Sequence, residues 1–384
     1  MKITDIEVIS FRLTSKSHPS RWGYGVVGKE YDMVQRIMKI VTDEGFEGYT
    51  TGPHGYSYCA STAEVERTVK PLLLGENPMD RERIWQWMMK HKGISEGLQG
   101  CVDSALWDLL GRMTGLPVSK LLGGAREKVK AYASTAPNLG SPELYANYAL
   151  ECQQRGYQAY KIHSYIYWNP HTKQPAPGLP AFPKEDVAVC KAVREAVGDD
   201  MTLMLDPWGI YTYEESLYVG RELEKLDFYW LEHPMDERRL EPYRRLCREL
   251  DINICGPEHA TGSYYSRAEW ALQEATDIGR IDVNYGGITG CKKAVAMYEG
   301  FGIPCEIHVG GFANSQILGT TTNELCEFFE RGLLTPGEDY DETPSYLLNP
   351  CDPMDAEGYV HLPQTPGLGM EFNWDYINDN LVDE

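Results

Sequence analysis

The sequence has no uninterrupted apolar run of roughly 18 residues, the length a membrane-spanning helix needs, so no segment reads as a bilayer span. It opens on MKITDIEVIS, without the basic-then-apolar pattern of a secretory signal. It also lacks any Cys-x-x-Cys pair. Ten cysteines are scattered singly from Cys59 to Cys351, and several (Cys190, Cys255, Cys326) sit inside apolar runs. A disulfide framework would be denser and the chain shorter, so these read as reduced thiols in a cytoplasmic protein. Cys305 and His308 stand at a Cys-x-x-His spacing, but no second pair accompanies them, which argues against zinc there. Positive charge is scarce: 36 Lys and Arg face 57 Asp and Glu, a formal charge of −21. Such a field repels polyphosphate and disfavours nucleic acid and anionic membranes as partners. An anionic substrate would need a metal ion or a few local cations to override it.

What is present is a globular composition, 42% hydrophobic and 11% aromatic over 384 residues. At about 150 residues per domain this allows two or three domains, or one barrel of roughly 250 residues with a smaller companion. The first 60 residues read as strands: ITDIEVISFRL, then MVQRIMKIVTDEGFEGYT as a hairpin turning at Asp43-Glu44-Gly45. Between them, Gly23-Tyr24-Gly25-Val26-Val27-Gly28 matches G-x-G-x-x-G in form. The segment after it reads as another strand where a dinucleotide loop would open a helix, so we read an aromatic-bearing mobile loop. Residues 61–123 read as helices, including an amphipathic stretch from Gly97 to Met113.

From about residue 128 the texture changes. Short apolar runs recur at 128–134, 157–163, 201–206, 228–233, 252–258, 277–283, 304–310 and 325–330, each followed by a segment that reads as an amphipathic helix. Eight strand–helix units point to a closed parallel α/β barrel rather than an open sheet. His163 and Asp206 are 43 positions apart, and Tyr- and Pro-rich sequence at 165–183 fills the excess. An insertion after a barrel strand lies on the catalytic face and shapes substrate choice. We expect a capping domain at 1–125, the barrel at 126–335, and a segment at 336–384 returning to the cap.

The informative residues are polar groups that end apolar strands. Asp206, Glu232 and Glu258 close three consecutive strands at spacings of 26 and 26 residues. In a barrel all three converge on one rim, where they repel unless a cation neutralises them. Oxygen ligands with room left for water or substrate select a hard divalent ion, Mg²⁺. Lys161 and His163 alternate on the second strand and so face the same way. His308 ends the seventh strand, across the barrel from them. Two proton carriers on opposite sides of a metal allow abstraction on one face and delivery on the other.

Together these residues resemble the mandelate racemase branch of the enolase superfamily. Ala105-Leu106-Trp107-Asp108-Leu109-Leu110-Gly111-Arg112, followed by Leu121-Leu122-Gly123-Gly124, is similar to that family's junction between cap and barrel. Leu-Asp206, Leu-Glu232-His-Pro and Gly-Pro-Glu258 fit its metal acids in order and spacing. The resemblance implies an α+β cap over a (β/α)₇β TIM-like barrel. It also implies a shared half-reaction, in which a base removes the proton α to a carboxylate and Mg²⁺ binds the resulting enediolate. By that resemblance Lys161 matches the first lysine of a Lys-x-Lys motif. His163 stands where the second lysine, a base, is common, which leaves Lys161 and His163 both open as the base. His308 resembles the seventh-strand histidine usually oriented by a sixth-strand aspartate. Asp282 is the candidate, one residue nearer Gly286-Gly287 than is usual. Glu330 looks like the eighth-strand glutamate that hydrogen-bonds the substrate carboxylate, with Glu327 as a competitor. Trp22, Tyr24, His54 and 165–183 would shape specificity, and a homo-oligomer, dimer or octamer, is the family tendency.

Three outcomes follow proton abstraction: loss of a β-hydroxyl, reprotonation (racemisation or epimerisation), or expulsion of a ring oxygen (cycloisomerisation). The insertion and the rim Tyr and Trp suggest a polyhydroxy ligand, so dehydration of a sugar acid is expected. A sugar-acid binding protein without catalysis on the same scaffold is the alternative of another class.

Overall fold

A computed structural model describes residues 1–16, 30–51, 59–178 and 180–383. The segment carrying Trp22 and Tyr24, and His54, lie outside the described residues.

The first strand, Ile3–Lys16, is apolar at both parities and therefore needs cover on both faces. It pairs antiparallel with Glu30–Thr42, which turns at Gly45 into Glu47–Thr50. Ile3, Ile6, Met38 and Ile40 face the cap helices. Phe11 and Tyr49 face the chain's end, where Phe11 meets Tyr346 at 5.5 Å and Tyr49 meets Phe372 at 5.6 Å between ring centres.

The helix Glu96–Thr114 starts at Ser95, whose side chain accepts the Leu98 N–H, and ends at Gly115 in the left-handed region. It was expected to be amphipathic. It is instead buried at Leu98–Leu106 and Asp108–Gly111, because it lies between the cap sheet and the barrel helix Gly287–Phe301. A Cβ at Gly48 would collide with the Ala105 carbonyl, so strand and helix backbones touch. On the other side Asp103 accepts from the Thr289 N–H (2.8 Å) and hydroxyl (2.7 Å), tying cap to barrel.

The barrel strands are Lys128–Thr135, Ala159–Ile162, Thr202–Leu205, Trp230–Glu232, Asn253–Cys255, Gly279–Ile281, Cys305–Ile307 and Phe328–Leu334. Parallel ladders join the first five in order, the sixth to the seventh, and the eighth back to the first. A single bridge, Cys255 to Ile278, joins the fifth to the sixth. The seventh–eighth seam is closed by the Glu306 carboxylate, which accepts the N–H groups of Glu327 (2.8 Å) and Phe328 (3.2 Å). The eighth strand begins at Phe328 and runs on to Leu334, later than the apolar run predicts, over the length that pairs with the first barrel strand.

Alternation sends every second residue inward. Tyr132, Ala159, Met204, Trp230, Cys255, Ile278 and Phe328 form an apolar floor, with Tyr132 edge-on to Trp230 at 5.7 Å. The next inward residues toward the carboxyl ends of the strands are polar. The insertion after the second strand carries a small hairpin, Trp168–Asn169 with Gln174–Pro175, pinned by Asn138 to both Ile166 backbone groups. In the closing segment Tyr359–His361 pairs with the first barrel strand, and Val382 and Asn380 bond to Ser10 and Arg12 of the cap. That segment therefore touches both units. All ten cysteines are free thiols, and among the described residues no helix is long and apolar enough to cross a membrane.

Candidate active site

Above the floor, Lys161 is fully enclosed. Its ammonium donates to Glu330 (2.7 Å) and Glu232 (3.0 Å) and lies 3.7 Å from Asp206. Arg280, two positions before Asp282 on the sixth strand, reaches Glu232 at 2.7 Å and also bonds Glu330 and the Tyr132 hydroxyl. Sequence reasoning missed Arg280, although its parity with Asp282 was the available signal. Burial pushes Glu330 up, but Lys161 and Arg280 hold it well below the usual carboxylate range. Burial leaves Glu232 raised even with the same two cations beside it.

Asp206, Glu232 and Glu258 are all buried, and one oxygen of each lies within 4.8 Å of the others. His163 reaches Asp206 with Nε2 (3.0 Å), while its Nδ1–H donates to the Thr135 carbonyl (2.6 Å). A carbonyl only accepts, so Nδ1 carries the hydrogen and Nε2 is the nitrogen turned to the acids. Across the barrel, His308 Nδ1 lies 2.7 Å from Asp282 and its Nε2 lies 3.0 Å from Glu258. Burial pulls the His308 imidazole down, but Glu258 and Asp282 on its two nitrogens raise it well above the usual range. The shortened spacing from Asp282 to Gly286 does not disturb this pair; Asp282 also accepts the Asn284 N–H at 2.7 Å.

The donor set fits a hard divalent cation. Among the described residues Asp206, Glu232, Glu258, Glu330 and Asp282 gather around two obligatory cations, Lys161 and Arg280. Glu258 Oε2 is buried with no hydrogen-bond partner among the described residues. A buried carboxylate oxygen left without a donor is what a metal ligand looks like before its metal.

The remaining sequence candidates fare differently. Glu330 has its oxygens committed to Lys161, Arg280 and the Val309 N–H (2.7 Å), so it anchors the cations beneath the cavity. Glu327 precedes the eighth strand near Lys130, at the end of the barrel away from the acids, and cannot compete for that place. Besides Arg280, sequence reasoning missed His233 and His259, each directly after a cluster acid, and Glu237, which accepts the N–H groups of Glu258 (2.7 Å) and His259 (2.5 Å).

The chain is a (β/α)₇β barrel with a ring of strand-end acids under a cap to which both chain ends contribute. Residues 145–376 match the enolase C-terminal domain-like family, and residues 5–123 match the mandelate racemase / muconate lactonizing enzyme N-terminal domain. The chain belongs to the enolase superfamily, in its mandelate racemase branch. It is 33% identical to arabinonate dehydratase of Saccharolobus solfataricus over 92% of this chain and 91% of that one. It is 27% identical to D-galactarolactone cycloisomerase of Agrobacterium fabrum, over 89% and 90% of the two chains. Among solved structures, D-glucarate dehydratase from Agrobacterium tumefaciens, complexed with magnesium, superposes with a TM-score of 0.89. The two are 38% identical over the whole of both chains.

Proposed function

We propose that this chain is a Mg²⁺-dependent acid-sugar dehydratase, a hydro-lyase that converts a sugar acid to a 2-keto-3-deoxy acid. The observation that carries the proposal is the pair of imidazoles aimed at one acid cluster from opposite strands. His163 Nε2 lies 3.0 Å from Asp206 and His308 Nε2 lies 3.0 Å from Glu258. The dehydratase names of the relatives support the lyase class.

Asp206, Glu232 and Glu258 would hold Mg²⁺. When bound, the ion supplies concentrated positive charge beside the substrate carboxylate, without which the neighbouring C–H is a very weak acid. His163 takes the α-proton on Nε2, its ring held by the Thr135 carbonyl. Lys161 is the electrostatic partner rather than the base, because, although burial lowers it, Glu232, Glu330 and Asp206 around its ammonium hold it above the usual lysine range. His308, with a carboxylate at each nitrogen, carries the proton that leaves with the β-hydroxyl as water. The enol that remains tautomerises to the ketone. Trp22, Tyr24, His54 and the 165–183 insertion would choose among sugar acids.

The cycloisomerase and racemase relatives favour a second reading, in which the same abstraction ends in ring opening or reprotonation. A panel of acid sugars scored for 2-keto products with and without Mg²⁺ tests the proposal. We expect product only with the ion. Solvent deuterium appearing in recovered substrate without 2-keto product would point to the isomerase reading. No exchange into any acid would leave a binding protein.

A further inference from the structure

The acid cluster does not use all the metal-binding atoms at the mouth. Glu258 is crowded by three imidazoles: His259 Nε2 at 2.9 Å and His308 Nε2 at 3.0 Å from Oε1, and His233 Nδ1 at 3.7 Å from Oε2. His308 is accounted for by Asp282. His233 and His259 have no part in the proposed proton transfers. One ligand atom each of His233, Glu258 and His259 lie within 4.8 Å of one another, a second potential chelate that shares one acid with the first.

Two further observations point to a ligand there. His233 is 8% exposed, and its Nδ1, facing Glu258, has no hydrogen-bond partner among the described residues; neither has the Glu258 Oε2 it faces. An imidazole nitrogen and a carboxylate oxygen left facing one another at that distance suit a cation between them better than a direct bond. The ring is also deliberately placed. His233 sits at φ 40°, a left-handed conformation costly for a non-glycine residue. Its far edge packs on Gly209, where any Cβ would lie 2.7 Å from Nε2. His259 is oriented too: its Nδ1 meets the Tyr285 hydroxyl at 2.8 Å, leaving Nε2 for the cluster. A hydrogen bond on the other nitrogen is how metal-binding histidines are commonly held.

We infer that His233, His259 and Glu258 form a second cation site beside the acid cluster, selective for a borderline divalent ion such as Zn²⁺. Two imidazoles and one carboxylate suit zinc or nickel, whereas the all-carboxylate set suits magnesium. One carboxylate then serves two cations, so occupancy of the two sites is coupled. The site does not depend on which reaction the enzyme performs.

Equilibrium dialysis of the full chain against Zn²⁺ in excess Mg²⁺, with bound metal counted by elemental analysis, tests the inference without any substrate. Wild type should retain one zinc per chain. His233→Asn and His259→Asn should each weaken it by well over the roughly 10- to 100-fold that loss of an orienting partner alone costs. His308→Asn, which removes the third imidazole on Glu258, should keep it. His259 is 51% exposed at its side chain, so its substitution leaves a folded protein even if His233→Asn does not. Failure of wild type to hold zinc against Mg²⁺ would overturn the inference, as would zinc that survives loss of His259 or zinc lost equally with His308. None of these results bears on the dehydratase reading, which is scored by turnover.

Discussion

Two layers of buried charge, stacked inside one barrel, are neutralised in different ways. In the inner layer Lys161 and Arg280 stand against Glu232 and Glu330, each at most 2% exposed, so that fixed cations meet carboxylates, with N–H groups of Trp230 and Val309 completing the acids and the Tyr132 hydroxyl beside Arg280. At the rim Asp206, Glu258 and Asp282 are met mainly by imidazoles, which carry charge only when protonated. The inner layer is nearly balanced and holds shape, and Glu232 links it to the acid cluster. The rim is short of positive charge, and that shortfall is what a metal ion and a moving proton can use. Charge alone does not mark a working site; charge whose balance can change does.

The sharpest way to test the difference is to neutralise rim and interior separately. His163→Asn and His308→Asn should lower turnover by about 10²- to 10⁴-fold, the usual worth of a positioned acid or base. Mg²⁺ affinity should persist, because neither residue belongs to the acid set. Melting temperature should move little, since rim imidazoles face the cavity. Undiminished production of 2-keto acid by either variant would remove that histidine from the chemistry and collapse the contrast.

Arg280→Met should do the reverse. It leaves Glu232 and Glu330 sealed with Lys161 alone, and breaking a buried ion pair typically costs about 3–5 kcal/mol. Thermal or denaturant unfolding measures it. A variant as stable as wild type would mean the inner layer is not held by its charges.

The same comparison explains what could be read from the chain. The eight strands and the three acids were legible because strand parity and a repeat of 26 residues are one-dimensional signals. So was the pairing of Lys161 with His163, two apart on one strand. What escaped depended on what lies opposite. Arg280 is invisible until Glu232 and Glu330 are seen on either side of it. Glu330 resembles a substrate ligand in sequence, and what the sequence does not show is that its oxygens meet Lys161, Arg280 and a backbone N–H. The helix at 96–114 shows a polar face in sequence, but its Asp103 and Asp108 are buried against Thr289 and against Tyr49 and Leu368.

Asp103 is the limiting case, a sealed carboxylate whose hydrogen bonds among the described residues come from neutral donors, the two of Thr289. Burial, only partly offset by those bonds and by the Arg81 guanidinium, pushes it from 3.8 up to about 6. A raised acid binds its proton more tightly folded than unfolded. Stability from this group is therefore fully present below the unfolded value and lost as pH rises from about 4 to about 6. At about 1.4 kcal/mol per unit the loss is at most about 3 kcal/mol, and it is constant above that window. Asp103→Asn keeps an oxygen for the Thr289 N–H and an amide for its hydroxyl while removing the titration. The difference in melting temperature, wild type minus variant, should fall across that window and level off beyond it. Parallel curves would show that Asp103 keeps an ordinary carboxylate titration in the folded protein and that its burial is fully offset.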